Sequence, residues 1–167
     1  IRDHFLAYGY VQGQLLSDVL EDTTFVNFLD FVKENLWIRK RLDPQEQHRF
    51  SMACHRFYFD KTWERIGQFF MKTGISDKLD VINGARVPSI SSMFERLDWN
   101  WLCMGDPVLM HGDPQPENVI VGDNGMFYLI DWREDFGGNL EYGDLYYDLA
   151  KLYGGIILNY NKMKNKE

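Results

Sequence analysis

The 167-residue sequence predicts an α+β fold, mainly helical with small β-hairpins. Three observations carry this expectation. Apolar side chains recur at helical spacing from about residue 23 to residue 74; the period becomes strand-like between Val108 and Ile130; and helical spacing returns after Gly143.

Residues 5–11, FLAYGYV, are aromatic and β-rich and predict a short strand, broken by Gly13 before QLLSDVL opens a short helix. With Thr23 or Thr24 as N-cap, Phe25, Phe28, Leu29, Val32 and Leu36 predict an amphipathic helix to about Arg41. Asp43-Pro44-Gln45-Glu46 restarts the chain with an N-cap carboxylate, proline in the first turn and Glu at the third position. Phe50, Cys54, Phe57, Trp63, Ile66 and Phe70 continue that helix past a break near Asp60 to Gly74, as core side chains. Residues 75–88 predict an irregular crossing, followed by a short helix from Ser89 to about Leu97. Strands are expected at 108–110, 118–121 and 126–130, the last two forming a hairpin around Gly122-Asp123-Asn124-Gly125. Gly143 and Asp144 open a last helix with Leu145, Leu149, Leu152 and Ile156 on one stripe. No internal repeat is visible, and the Lys-rich end is expected to fray.

Composition narrows the function classes. With 45% apolar and 16% aromatic residues the chain can bury the core of one domain. No apolar run reaches eighteen residues and the N-terminus lacks the order of a signal peptide, so no membrane partner and a cytoplasmic location are expected. Cys54 and Cys103 belong to no zinc or disulfide pattern and predict buried thiols. A net charge of −7 argues against nucleic acid as a partner, and the cluster Arg39-Lys40-Arg41 reads as solvated surface. The opening at Ile1, directly into an apolar segment, predicts a piece of a longer chain with a further domain upstream.

The chemistry concentrates in VLMHGDPQPENVIVGDNGMFYLIDW, Val108 to Trp132. A loop between two strands carries Asp113 and Asn118, and the hairpin returns Asp131 beside Asn118. Three oxygen-bearing side chains are thus expected to converge at one hairpin end, and such ligands suit Mg²⁺, a hard cation that usually takes one or two carboxylates from the protein and completes its shell with water and phosphate oxygens. Phosphoryl transfer needs a carboxylate that accepts a hydroxyl proton and metal ions that neutralise the transferring group. Asp113 fits the first role; Asn118 and Asp131 fit the second, as metal and nucleotide ligands. His111 is the other catalytic candidate, with an orienting role beneath the loop.

His111-Gly112-Asp113-Pro114-Gln115-Pro116-Glu117-Asn118, followed by Leu129-Ile130-Asp131-Trp132, resembles the HxDxxxxN…IDW signature of the aminoglycoside phosphotransferase and choline kinase family. Protein kinases share the skeleton, but Gly112 in place of Arg, and Trp132-Arg133 in place of Phe-Gly, put this chain nearer the small-molecule kinases. Gly143-Asp144-Leu145-Tyr146-Tyr147-Asp148-Leu149-Ala150 is similar to the segment that follows the metal Asp in that family, where the residue matching Asp148 buttresses the catalytic loop. YGYVQGQLL resembles the hinge at which adenine bonds backbone groups, here the Gly9 carbonyl and the Val11 amide.

The resemblance implies a protein-kinase-like C-terminal lobe over 14–167, with 1–13 the end of a small lobe and hinge. It implies ATP as co-substrate, Mg²⁺ as cofactor, and a small hydroxylated acceptor: an amino sugar, a sugar or a choline-like alcohol. The family's small lobe supplies a glycine-containing hairpin and a Lys that grip the phosphates. Neither precedes Tyr8, so the N-terminal lobe is expected to be absent and the fragment a poor catalyst alone.

Bland alternatives stand beside these. The signature residues could cap a polar loop. Arg133, Glu134 and Asp135 either face substrate or form a solvated turn, while Trp99 and Trp101 either pack near Val108 or wall an acceptor pocket. A rival function is a non-catalytic kinase-like module that regulates an attached enzyme.

Overall fold

A computed structural model describes residues 9–78 and 80–158. The chain runs β1 (Gly13–Leu15), α1 (Asp22–Asn35), α2 (Pro44–His55), a π turn (Arg56–Asp60), α3 (Lys61–Thr73), β2 (Asp80–Ile82), β3 (Ala85–Val87), α4 (Ile90–Phe94), α5 (Trp99–Leu102), β4 (Pro107–Val108), a 3-10 turn (Pro116–Asn118), β5 (Val119–Gly122), β6 (Phe127–Leu129), β7 (Gly143–Asp144) and α6 (Leu145–Ile157). The architecture is mixed helix and small antiparallel sheets, compatible with the predicted α+β class. Among the described residues no helix is long and apolar enough to cross a membrane.

The chain divides into two compact units. The first takes the described residues of 1–40, 106–135 and 140–167. Its sheet has β5 in the centre, antiparallel to both β1 and β6. Val119 on β5 packs with Leu16, Phe28, Val32, Leu36 and Leu152 in one buried cluster. Phe28, Val32 and Leu36 are four residues apart, so they form one stripe of α1 and its C-cap. Each such side chain stabilises the fold by about 1.5–3 kcal/mol relative to exposure. Phe127 of β6 closes one side, edge-on to Phe28 at 5.4 Å.

Several expected boundaries move. Residues 5–8 lie outside the described residues, and 9–11 form no strand; the strand lies later and includes Gly13. Gly13 pairs with Gly122 so closely that a Cβ on it would lie 2.3 Å from the Val121 carbonyl oxygen. The glycine therefore permits the pairing instead of breaking it. QLLSDVL gives the end of β1 and a turn, not a helix, because the Leu16 amide donates to the Val119 carbonyl at 2.8 Å. The first helix has Glu21, not a Thr, at its N-cap and stops at Asn35, not Arg41. Beyond it the backbone pairs with the β4 region, through Lys40 N–H to the Pro107 carbonyl (2.9 Å) and Leu109 N–H to the Ile38 carbonyl (3.1 Å). Arg39, expected as plain solvated surface, ion-pairs with Asp106 at 2.6 Å while staying largely exposed.

The second unit takes 41–105 and 136–139. Its entry is the predicted capping box, with the Asp43 carboxylate on the Glu46 amide and the Glu46 carboxylate on the Asp43 amide, both at 2.8 Å. The expected break near Asp60 is a π turn that widens the helix by one residue, marked by the Lys61 amide bonded to the Arg56 carbonyl. Gly74, at φ 69°, caps α3. The expected irregular crossing contains a hairpin of β2 and β3, whose turn residues Asn83 (φ 51°) and Gly84 (φ 79°) have the left-handed conformations that two-residue hairpins demand. Trp99 packs on Phe59 and Phe94 within this unit, Trp101 is exposed, and both cysteines are buried thiols.

Candidate active site

All the signature residues fall in the first unit. β4 and β7 pair antiparallel, with Pro107 opposite Asp144 and Val108 opposite Gly143, so the chain enters the loop 111–118 beside the start of α6. The Asp144 carboxylate caps α6 through the Tyr146 amide at 3.2 Å and also accepts the Asp106 amide at 2.8 Å. One turn later Asp148 is fully buried. Its Oδ1 accepts the Gly112 amide at 2.7 Å, and its Oδ2 accepts the His111 amide at 2.9 Å and Trp37 Nε1–H at 3.0 Å. Burial pushes the Asp148 carboxyl up, and the three N–H donors pull against that.

His111 is also fully buried, and its ring lies 4.7 Å from that of Trp132. Nδ1 accepts the Asp113 amide at 3.2 Å, so the neutral ring carries its proton on Nε2. The Ile130 carbonyl lies close enough to the ring to favour its protonated form, yet among the described residues no acceptor makes a well-formed hydrogen bond with Nε2. Burial lowers the imidazole pKa, opposed by the Asp148 charge and, more weakly, by the Ile130 carbonyl, Asp113 and Asp131. The ring has no exposure and lies beneath the loop, bonded to the Asp113 amide.

Asp113 is partly open. Its Oδ1 accepts two donors, Lys151 Nζ at 2.9 Å and Gln115 Nε2 at 2.7 Å. Among the described residues no donor is bonded to Oδ2. Asn118 Nδ2 donates to the Asp113 carbonyl at 2.9 Å, which fixes the carboxamide and leaves its oxygen for another partner. Opposite it the ladder continues through Ile130 N–H to the Asn118 carbonyl at 3.0 Å, so Asp131 follows one residue beyond. Asp131 is in the left-handed region at φ 61°, uncommon outside glycine and concentrated at functional sites. A cleft of about 730 Å³ is lined by Gly9, Val11, residues 127–130, Asp131 and Trp132, so the hinge-like backbone and the hairpin carboxylate share one space.

The donor set fits Mg²⁺ in one specific way. Among the described residues no three His, Cys, Asp or Glu side chains form a metal cluster. An ion here would take the Asp131 carboxylate and the Asn118 oxygen and draw its remaining ligands from water and phosphate.

Arg133 folds back on the loop. Its amide bonds the His111 carbonyl at 3.0 Å, and its guanidinium donates to the Gly112 carbonyl at 3.3 Å and the Tyr147 hydroxyl at 3.2 Å. Sequence reasoning missed Trp37, Gln115 and Lys151. For Lys151 the signal was present, since it lies three residues after Asp148 on the same helical face.

That face differs from the expected apolar stripe: in α6 the buried residues are Asp148, Leu152 and Gly155, and Ile156 is exposed. A Cβ on Gly155 would lie 2.6 Å from Pro116 Cδ and 3.1 Å from Gln115 Cβ, whereas Gly154 has open space. Gly155→Ala is therefore expected to destabilise by about 1–3 kcal/mol. Gly154→Ala should stabilise by about 0.5–1 kcal/mol. Paired urea titrations check this, and equal effects would refute the close packing of helix on loop.

Thus α6 meets the loop at three points, through Asp148 on 111–112, Lys151 on 113 and Gly155 on 115–116. The model of the phosphotransferase enzyme family matches residues 3–161, nearly the whole chain. The chain belongs to this family. Comparisons with curated proteins and with solved structures give no match. As a member of the phosphotransferase enzyme family the protein is, at a general level, a kinase-type enzyme.

Proposed function

We propose that this protein transfers the γ-phosphoryl group of ATP to a hydroxyl of a small molecule, with Mg²⁺, and that residues 14–167 correspond to the C-terminal lobe of a kinase-like fold. The observation that carries this is the Asp113 carboxylate, with Oδ1 occupied by two donors and Oδ2 left to accept a proton. The acceptor hydroxyl bonds to Oδ2, its oxygen attacks the γ-phosphorus, the bond to the β-phosphate oxygen breaks with its electron pair going to ADP, and the hydroxyl proton goes to Asp113. Asn118 and Asp131 would hold Mg²⁺, which neutralises charge on the phosphates when bound. The Gly9 carbonyl and Val11 amide would take the adenine edge at the other end of the cleft. An amino sugar, a sugar or a choline-like alcohol fits as acceptor, with a sugar favoured by the breadth of the resemblance.

Titration calorimetry with ATP, with and without Mg²⁺, tests the metal ligands. Asp131→Asn is the variant of choice, because Asn tolerates a left-handed backbone while losing the charge. The wild type should bind ATP more tightly when Mg²⁺ is present, and the variant should lose that gain. A gain of the same size in the variant would show that Asp131 is not a metal ligand. A phosphorylation screen over amino sugars, hexoses and choline identifies the acceptor.

A further inference from the structure

We propose that Lys151 is the cation that meets the transferring phosphoryl group, delivered to the reaction centre by α6 through its ion pair with Asp113. This rests on the phosphotransfer function proposed above.

The pair is 2.9 Å long, with both side chains about a quarter exposed. As a stabiliser of the fold, an ion pair so open to solvent would contribute little, yet the position is tightly built. Lys151 lies one turn after buried Asp148 and one turn before Gly155, and both neighbours hold α6 against the loop. The helix therefore fixes where the lysine stem starts, and Asp113 fixes where its ammonium ends. An ammonium has three donors, and the carboxylate uses one.

Gln115 bonds the same oxygen of Asp113, which directs the acceptor hydroxyl to Oδ2. A hydroxyl there lies about 2.7 Å from the carboxylate, and the phosphorus it attacks about 3–3.5 Å further on. The γ-phosphoryl oxygens then fall within the swing of Lys151 Nζ. As the bond from phosphorus to the β-phosphate oxygen lengthens, charge spreads over those oxygens, and a fixed cation beside them accelerates the step. Lys151 consequently does two things: it holds Oδ1 away from the acceptor, and it presents positive charge to the group being transferred.

Lys151→Met, Lys151→Gln and Lys151→Arg, made in the full chain, test this by calorimetry with Mg·ATP and Mg·ADP, by release of phosphate from ATP to water, and by thermal melting. Only ATP carries the γ-phosphoryl group, so Met and Gln should lower the preference for ATP over ADP about tenfold. Turnover should fall on the order of 10²-fold, with ADP affinity and melting temperature close to wild type. Arg should recover most of the ATP preference. An unchanged ATP preference in both Met and Gln overturns the proposal, as does an equal loss of ATP and ADP binding that Arg does not repair. Absence of any Mg·ATP binding by the wild type would overturn the phosphotransfer function itself and this inference with it, whereas wild-type binding with indifferent variants would sink only the role of Lys151.

Discussion

Asp113→Asn should lower phosphoryl transfer by about 10²–10⁴-fold, the usual contribution of a positioned general base, and should leave Mg·ATP affinity within about threefold of wild type. The geometry makes this substitution more informative than a truncation. Lys151 Nζ and Gln115 Nε2 both donate to Oδ1, so an Asn side chain keeps its oxygen on that side and turns its NH₂ toward the acceptor. The group facing the hydroxyl then becomes a donor, which can neither accept the hydroxyl's hydrogen bond nor take its proton. Loop contacts through the residue 113 amide and carbonyl, to His111 and Asn118, use backbone atoms and survive. Steady-state kinetics with the acceptor found by screening, together with calorimetry for ATP, measure both numbers. Turnover within a factor of three of wild type would remove Asp113 as the base.

The parts of this site that were legible in the sequence are those whose chemistry is local. Asp113, Asn118 and Asp131 sit at fixed offsets on a loop and a hairpin, and the strand-like period around them locates both. Asp43 and Glu46 announce their own capping box, because its bonds span three residues. What the sequence hid depends on partners far along the chain. Gly13 reads as a breaker until Gly122 lies opposite it. The end of the first helix is decided by pairing between residues 38–40 and 107–109, which local helical periodicity does not contain. Trp37 looks like one more core aromatic, and only its indole N–H on a carboxylate 111 residues later shows that it supports the loop. The apolar stripe drawn on α6 held only in part, with Leu152 buried, Leu145 and Leu149 half-buried and Ile156 exposed, for a related reason: periodicity counts apolar side chains, whereas the fully buried positions are a carboxylate, a leucine and a glycine.

Asp148→Ala should be among the most damaging single changes in the chain. Among the described residues the carboxylate is the only acceptor for the His111 and Gly112 amides and the Trp37 indole N–H, and it is fully buried. Alanine leaves three donors without a partner, each costing about 1–3 kcal/mol when sealed from water. Water entering the space left by the carboxylate would recover part of this, so a net loss of roughly 3–5 kcal/mol is expected, a large share of the 5–15 kcal/mol that holds a typical domain folded. Asp148→Asn should do little better, since one of the two oxygens that faced an N–H becomes an NH₂ pointing at a donor. The urea midpoint of both variants measures the effect, and a loss below about 1 kcal/mol would show that the three bonds are not maintained in solution. A pH series adds an independent check. In the folded protein the His111 imidazole titrates below its ordinary value of 6.5, so between that value and its lowered one the unfolded chain binds more protons. Stability from this group is therefore full above about pH 6.5 and declines as the pH falls below it. Because the Asp148 charge opposes the lowering, its removal by alanine should depress the folded pKa of His111 further and steepen the acid loss. A variant that is simply loosened, with His111 reaching solvent, would instead show a flatter acid limb than wild type, so the slope distinguishes a lost carboxylate from a lost core.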